Sequence, residues 1–337
     1  MRSPWSALLD ASICFSFDRS GYARHARRFE PRDLEVDARG RRCLVTGGNS
    51  GIGLAAARGL AARGAEVLLL CRDWERGRAA AEALRAETGN PGVSASVLDL
   101  SDLDAIRAWA SAWDGERVDV LVHNAGLLVP ERRLSPQGLE LTFATHVAGP
   151  FLLTRLLEGR LSAGARVIWV SSGGMYARRL SLEDVGWEAR PWDGVAAYAQ
   201  TKRMQVVLSR LFAERWDPAL AVSHVMHPGW ADTPGVRTAL PRFWRLLHGR
   251  LRTPEEGADT VVWLALAAAA ARGSTGQVWF DRAPRSAWLL PGTRESEHER
   301  RRLWALCEEL TAPALAASSA AARGSQPAPA GEGGARG

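Results

Sequence analysis

From Arg41 onward, short β-branched or aliphatic runs alternate with Ala-, Leu- and Arg-rich stretches: CLVTG, LAAARGLAARG, EVLLLC, a helix through Arg85, SASVLDL, a helix over Leu103 to Trp113, and VDVLVHNAG. The rhythm continues through a longer helix from about Leu139 to Arg160, RVIWVSS, a helix over Tyr198 to Arg215, ALAVSHVMHPG, a helix near Glu255 to Ala270, and GQVWF. Apolar runs of strand length, separated by helices of roughly ten to fifteen residues, predict βαβ units and so a parallel sheet with helices on both faces. Seven strand candidates make one doubly wound α/β domain, expected over 41–293.

The flanks read differently. Residues 1–40 form a leader, a short helix followed by an extended approach to the first strand. A charged helix is expected over 294–312. The Ala/Gly/Ser/Pro-rich remainder, 313–337, is expected to be disordered, because it offers too little apolar surface to offset chain entropy. Val261 to Ala271 is apolar for about eleven residues, short of the roughly 20 that span a membrane, so no transmembrane segment is expected. Trp5 to Phe17 is interrupted by Asp10 and lacks a small-residue cleavage site; it does not read as a secretory signal, though an interfacial helix is compatible.

Composition narrows the partners. The 337 residues carry 43 basic and 37 acidic side chains, a net charge of +6. Arginines interleave with acids along the whole chain, so the basic balance implies no nucleic-acid partner. Cys14, Cys43, Cys71 and Cys307 show neither CxxC nor metal-ligand spacing, which predicts buried free thiols, a reduced cytoplasmic setting and no metal site. His224 and His227, three apart on a strand, face opposite sides. One number stands out: all basic residues are Arg except Lys202, and Tyr22, Tyr176 and Tyr198 are the only tyrosines.

The first strand ends in Thr46-Gly47-Gly48-Asn49-Ser50-Gly51-Ile52-Gly53 and runs into a helix. Glycines 47, 51 and 53 let the backbone turn sharply and approach a pyrophosphate seated on the helix N-terminus. In this strand-to-helix context the motif predicts a dinucleotide site and a Rossmann-type sheet. At the end of the second strand Arg72 suits the 2′-phosphate of NADP(H), while the adjacent Asp73 suits the ribose of NAD; NADP(H) is favoured. Asp99-Leu100 and Asn124-Ala125-Gly126 follow the third and fourth strands on the ligand-binding carboxyl edge, although Asp99 could equally cap the next helix.

Tyr198 and Lys202 are one helical turn apart on one face, where an ammonium would favour the phenolate. Lys also offers a compact cation for a ribose hydroxyl, which the Arg fork does not reproduce. Ser171 and Ser172 end the fifth strand on the same edge and can donate to a carbonyl oxygen.

TGGNSGIG, HNAG, VSS and YAQTK, in this order, resemble the short-chain dehydrogenase/reductase superfamily from about Arg41 to Phe280. SSGGM, YAQTKRMQVVLS, HPGWADTPGV and the leader SGYARHARRFEPRDLEV look like its dehydrogenase/reductase SDR family member 12 branch, to about residue 290. The resemblance implies Tyr198 as general acid/base, Lys202 as its activator and ribose ligand, and Ser172 rather than Ser171 as polarising hydroxyl. It further implies Asn124 at the adenine-ribose side, Asp99 at the adenine, and Pro228, Gly229 and Thr233 at the nicotinamide carboxamide. Where the family usually has an Asn that helps hold a relay water, three residues before Gly149, this chain has His146. The imidazole extends the relay as a titratable group, or a backbone carbonyl holds the water and the ring is a tolerated exchange.

The expected function is hydride transfer between NADP(H) and a carbonyl or secondary alcohol of a lipophilic small molecule; a homo-oligomer is compatible. Met175, Tyr176, Trp187, Trp192, Trp230, Phe243 and Trp244 would wall the substrate side or simply pack the loops. The alternative is a catalytically weak nucleotide-binding protein that uses its loops for interaction or sensing, to which His146 gives weight.

Overall fold

The computed structural model describes residues 12–115, 117–271, 274–289 and 292–324. The apolar runs form one sheet in the order β3–β2–β1–β4–β5–β6–β7–β8, with β1 Arg42–Thr46, β2 Glu66–Cys71, β3 Val93–Val97, β4 Val118–His123, β5 Leu161–Val170, β6 Ala221–Met226, β7 Val278–Phe280 and β8 Ala283–Arg285. The first seven are parallel. The central strands β1, β4, β5 and β6 are mostly buried and rich in Val, Leu and Ile because helices cover both faces of the sheet. The eighth exceeds the expected seven: β8 returns antiparallel to β7 through Asp281 and Arg282, at φ 49° and 54°. Ala-Pro-Arg is too short and too polar for an alternating pattern to be read from it.

The helices are α1 Ile13–Phe17, α2 Arg19–Ala26, α3 Gly51–Ala61, α4 Trp74–Thr88, α5 Leu103–Ala112, α6 Gly149–Leu157, α7 Gly194–Arg215, α8 Pro234–Ala239, α9 Pro241–Leu247, α10 Pro254–Leu266 and α11 Glu297–Gly324, with a further turn at Ala268–Ala271. Leu103, Phe151, Val207, Phe212 and Trp304 fill the core on one face of the sheet, and Ala56, Leu60, Leu84 and Val262 fill it on the other. Aspartates start four of these helices by accepting first-turn N–H groups: Asp18 for α2, Asp73 for α4, Asp102 for α5 and Asp193 for α7. Thr253 and Glu256 form a capping box on α10. No described helix is long and apolar enough to cross a membrane.

The long helix expected from Leu139 to Arg160 is a composite: Leu141–Phe143, a wide π turn over Ala144–Ala148, then α6. A π turn inserted in a helix often marks a functional position, and His146 lies in this one. Gly149 ends the turn hard against the segment that follows β3, where an added Cβ would collide with the Leu100 carbonyl. Gly149→Ala is therefore expected to destabilise the fold by about 1–3 kcal/mol through overpacking, seen as a lower urea midpoint; an unchanged midpoint would mean that the segment yields.

The C-terminal boundary is corrected. α11 continues past 312, through Pro313, to Gly324. Leu303, Trp304, Cys307, Thr311 and Ala314 are buried, packing α11 against α5, α6 and α7. Once anchored, a helix propagates readily through an Ala-rich run. Residues 325–337, and residues 1–11 of the leader, lie outside the described residues.

The leader is two short helices and a 3-10 turn, Pro31–Leu34, rather than one helix and an extended stretch. Phe17 is buried in the main core with its ring 4.6 Å from that of His227, and its carbonyl accepts from Trp230 N–H at 2.8 Å. The buried Arg252 donates to the carbonyls of Ser16 and Phe17 and, through Nη1 and Nη2, to the Asp281 carboxylate at 2.6 and 2.9 Å. His25 Nδ1 reaches the same carboxylate at 2.6 Å. Burial pushes the Asp281 pKa up, but these hydrogen bonds outweigh it and hold the pKa below its ordinary value.

Candidate functional site

The strand order reverses between β1 and β4, so the loops after their carboxyl ends diverge and leave a crevice. A cavity of about 530 Å³ opens there, lined by every candidate residue except Gly53 and His146. Gly47 and Gly51 take φ of 64° and 54°, which a side chain adopts only with strain. Gly53 serves packing rather than contact: a Cβ there would strike the Gly47 carbonyl. Asn124 fastens this loop to β4, its Nδ2 donating to the carbonyls of Thr46 (2.9 Å) and Gly47 (3.3 Å). Ser50, at the N-cap of α3, makes no side-chain cap, so the first-turn amides beside the cavity are left for an anion.

At the rim the Asp73 carboxylate is engaged, accepting from Arg76 N–H at 3.1 Å. The guanidinium groups of Arg72 and Arg76 line the cavity without a hydrogen bond or ion pair among the described residues. Asp99 does not cap α5, since Asp102 does; its Oδ1 accepts from the Ser101 N–H (2.8 Å) and hydroxyl (2.7 Å).

At the inner end α7 presents Tyr198 and Lys202 to the cavity, and Ser172, following β5, shares a hydrogen bond with the Tyr198 hydroxyl. Ser171 turns away and donates to the Lys202 carbonyl at 2.8 Å. The Lys202 ammonium lies 5.5 Å from the Tyr198 ring centre and donates to Val170 O (2.8 Å) and Gln205 Oε1 (3.1 Å). Burial controls both titrations. It raises Tyr198 above its usual value, against a lowering by the Ser172 hydrogen bond, and it lowers Lys202 to about 7. In the free protein burial therefore sets the direction of both shifts.

His146 is buried beside this pair, its ring edge-on to Tyr198 with centroids 5.4 Å apart. Nε2 accepts from Leu127 N–H at 2.9 Å, so Nδ1 carries the proton and donates to Thr201 Oγ1 at 2.8 Å. Burial, and then the Lys202 charge, hold its pKa well below the usual value, so the ring is neutral and both nitrogens are occupied. As a titrating group the ring has no free nitrogen to offer; it ties the Gly126–Leu127 turn to α7.

Of the two readings of the aromatic residues, loop packing accounts for most of them. Only Trp230 and Phe243 of the seven expected residues line the cavity. Met175 is fully buried, Tyr176 donates its hydroxyl to Ser286 O, Trp187 and Trp192 pack edge to face, and Trp244 Nε1 donates to Asp232. Leu127, Leu128, Val236 and Leu240 supply the apolar lining instead. Part of it belongs to α8 and α9, none of whose residues is buried.

Two residues escape the motif reading. Gln205 stands three positions after Lys202 on α7, and that helical spacing was the available signal; Arg76 sits in the first turn of α4, just past the β2 end that Arg72 follows. The buried thiols of Cys43, Cys71 and Cys307 are free.

Residues 41–241 match the short chain dehydrogenase family model. Dehydrogenase/reductase SDR family member 12 of Bos taurus is 43% identical over 300 residues, covering 87% of this chain and 93% of that protein. Retinol dehydrogenase 13 of Homo sapiens is 35% identical over 282 residues, covering 79% and 83%. Among solved structures, a protein of Mycobacterium paratuberculosis is 28% identical with a TM-score of 0.67, covering 82% of this chain and 95% of its own.

Proposed function

The chain belongs to the short-chain dehydrogenase/reductase family of NAD(P)-dependent oxidoreductases, and on that premise we propose that it moves a hydride between NADP(H) and a carbonyl or secondary alcohol of a lipophilic substrate, with Tyr198 as general acid/base. The observation that carries this reading is a single cavity with Ser172, Tyr198 and Lys202 at its inner end and, at its outer end, a glycine cradle with two guanidiniums that have no ion pair among the described residues.

The residues fit the cofactor. The uncapped first turn of α3 would take the pyrophosphate, Arg72 and Arg76 the 2′-phosphate, Asp99 and Leu100 the adenine, and Asn124-Ala125-Gly126 the adjoining ribose. Pro228, Gly229 and Thr233 would hold the carboxamide, and Lys202 the nicotinamide ribose. When bound, the nicotinamide gives or takes the hydride. Ser172 donates to the substrate oxygen as charge develops there, and Tyr198 supplies the proton. Burial keeps Tyr198 protonated at neutral pH, which favours carbonyl reduction. His146 acts as a positioning group.

Leu127, Leu128, Trp230, Leu240 and Phe243 favour an apolar substrate, and the relative named for retinol agrees in class. The buried free thiols suit a cytoplasmic setting.

Arg72→Asp tests the cofactor choice. It is expected to weaken NADPH about 10–100-fold, the value of a charge-assisted hydrogen bond, with NADH little changed in a fluorescence titration. Equal losses for both cofactors, or none for NADPH, would remove the assignment.

A further inference from the structure

Gln205 follows Lys202 by three positions on α7 and is 1% exposed. Its Oε1 accepts from the Lys202 ammonium at 3.1 Å, and its Nε2 donates to the His146 carbonyl at 2.9 Å. The opposite amide orientation would set NH₂ against ammonium and oxygen against carbonyl, so the two partners fix which way it points. The residue four positions on, Pro150, has no N–H, so no α-helical bond reaches the His146 carbonyl from it. Among the described residues the ammonium has two acceptors, Val170 O and Gln205 Oε1, and its third hydrogen is left for the cavity. His146, Gln205 and Lys202 are all buried at this inner end.

We propose that Gln205 is the positioning residue for Lys202: its side-chain amide fills the gap between the ammonium and the His146 carbonyl, fixes the direction of the ammonium, and closes the inner end of the cavity to water. The proton exchanged by Lys202 and Tyr198 then travels through the open side of the cavity, since an amide relays protons poorly. The proposal rests on the assignment of Tyr198 and Lys202 above.

Because Lys202 is the only lysine, protein labelled with [¹³Cε,¹⁵Nζ]lysine gives one side-chain signal that needs no assignment. Gln205→Leu removes the acceptor at similar volume and is expected to lower the proton affinity of Lys202 about tenfold, while Gln205→Glu is expected to raise it by at least as much. The pH profile of kcat should move with the lysine signal. A signal titrating identically in wild type and Gln205→Leu would overturn the proposal, and if that variant does not fold, an unchanged Gln205→Glu decides equally. Gln205→Ala leaves room for water and is expected to speed exchange of the ammonium hydrogens with solvent about tenfold or more; equal exchange rates would overturn the closure. Added NADP⁺ should shift the signal in wild type. If it does not, the cofactor reading fails while the effect of Gln205 on Lys202 stands.

Discussion

Tyr198→Phe is expected to lower kcat about 10²–10⁴-fold, the range for loss of a positioned general acid, while NADPH affinity stays within about twofold. The ring keeps its edge contact with His146, and the change deletes one hydroxyl and its hydrogen bond to Ser172. Steady-state turnover on a panel of apolar ketones and aldehydes, beside a fluorescence titration of NADPH, separates chemistry from binding. Retained turnover would remove Tyr198 as the acid. Because burial holds Tyr198 above its usual value, the acid form persists through pH 7–9, and the reductive rate should not fall over that range through loss of this proton.

Lys202→Met should abolish most activity and yet stabilise the fold. The unfolded chain keeps lysine charged up to about its usual 10.5, whereas the folded protein releases the proton above about 7. Below pH 7 folding therefore carries the whole cost of a buried ammonium, on the order of 5 kcal/mol. Between pH 7 and 10.5 that cost shrinks as pH rises. Methionine strands the Val170 carbonyl and Gln205 Oε1 without their donor, a loss of about 1–3 kcal/mol. The net expectation is a gain of about 2–4 kcal/mol at pH 6 that is smaller at pH 9. Urea denaturation at both pH values measures it, and a less stable variant at pH 6 would show that the ammonium is no liability. In wild type, NADP(H) affinity should decline as pH rises through about 7 and the charge is lost; in Lys202→Met this dependence should disappear. Lys202→Arg keeps a cation but sets a wide planar fork in a slot bounded by Val170, Gln205 and Gly126. It is expected to lose activity with the methionine variant.

What the sequence revealed and what it hid divide by the range of the interactions. Seven strands, the glycine turn and the Tyr198–Lys202 pair are local patterns, set by residue type and by a period of two or 3.6, and they stand in the fold where those patterns predict. Strand β8, the course of α11 beyond Pro313 and the inward turn of Tyr176 and Trp187 depend on partners far along the chain, such as Ser286 for Tyr176. His146 shows the limit most clearly. Motif spacing located it near the Tyr198–Lys202 pair, but its role rests on Leu127 and on Thr201 and Gln205 of α7, reached from two other segments. Only their meeting shows that both ring nitrogens are taken.

The junction of Phe17 and His25 with Arg252 and Asp281 closes a loop of 256 residues between His25 and Asp281. At roughly 5–20 residues per second of synthesis, His25 is made roughly 13–50 s before its carboxylate partner. Until then Phe17 has no core to enter, and the Trp230 loop beside the cavity lacks the carbonyl that fixes its backbone. The nucleotide half of the sheet can form while the chain is still being made, but the substrate side waits for the last strands. Nascent chains arrested before residue 281 are therefore expected to hold a formed sheet beside an unset loop, with Phe17 exposed to chaperones in the interval.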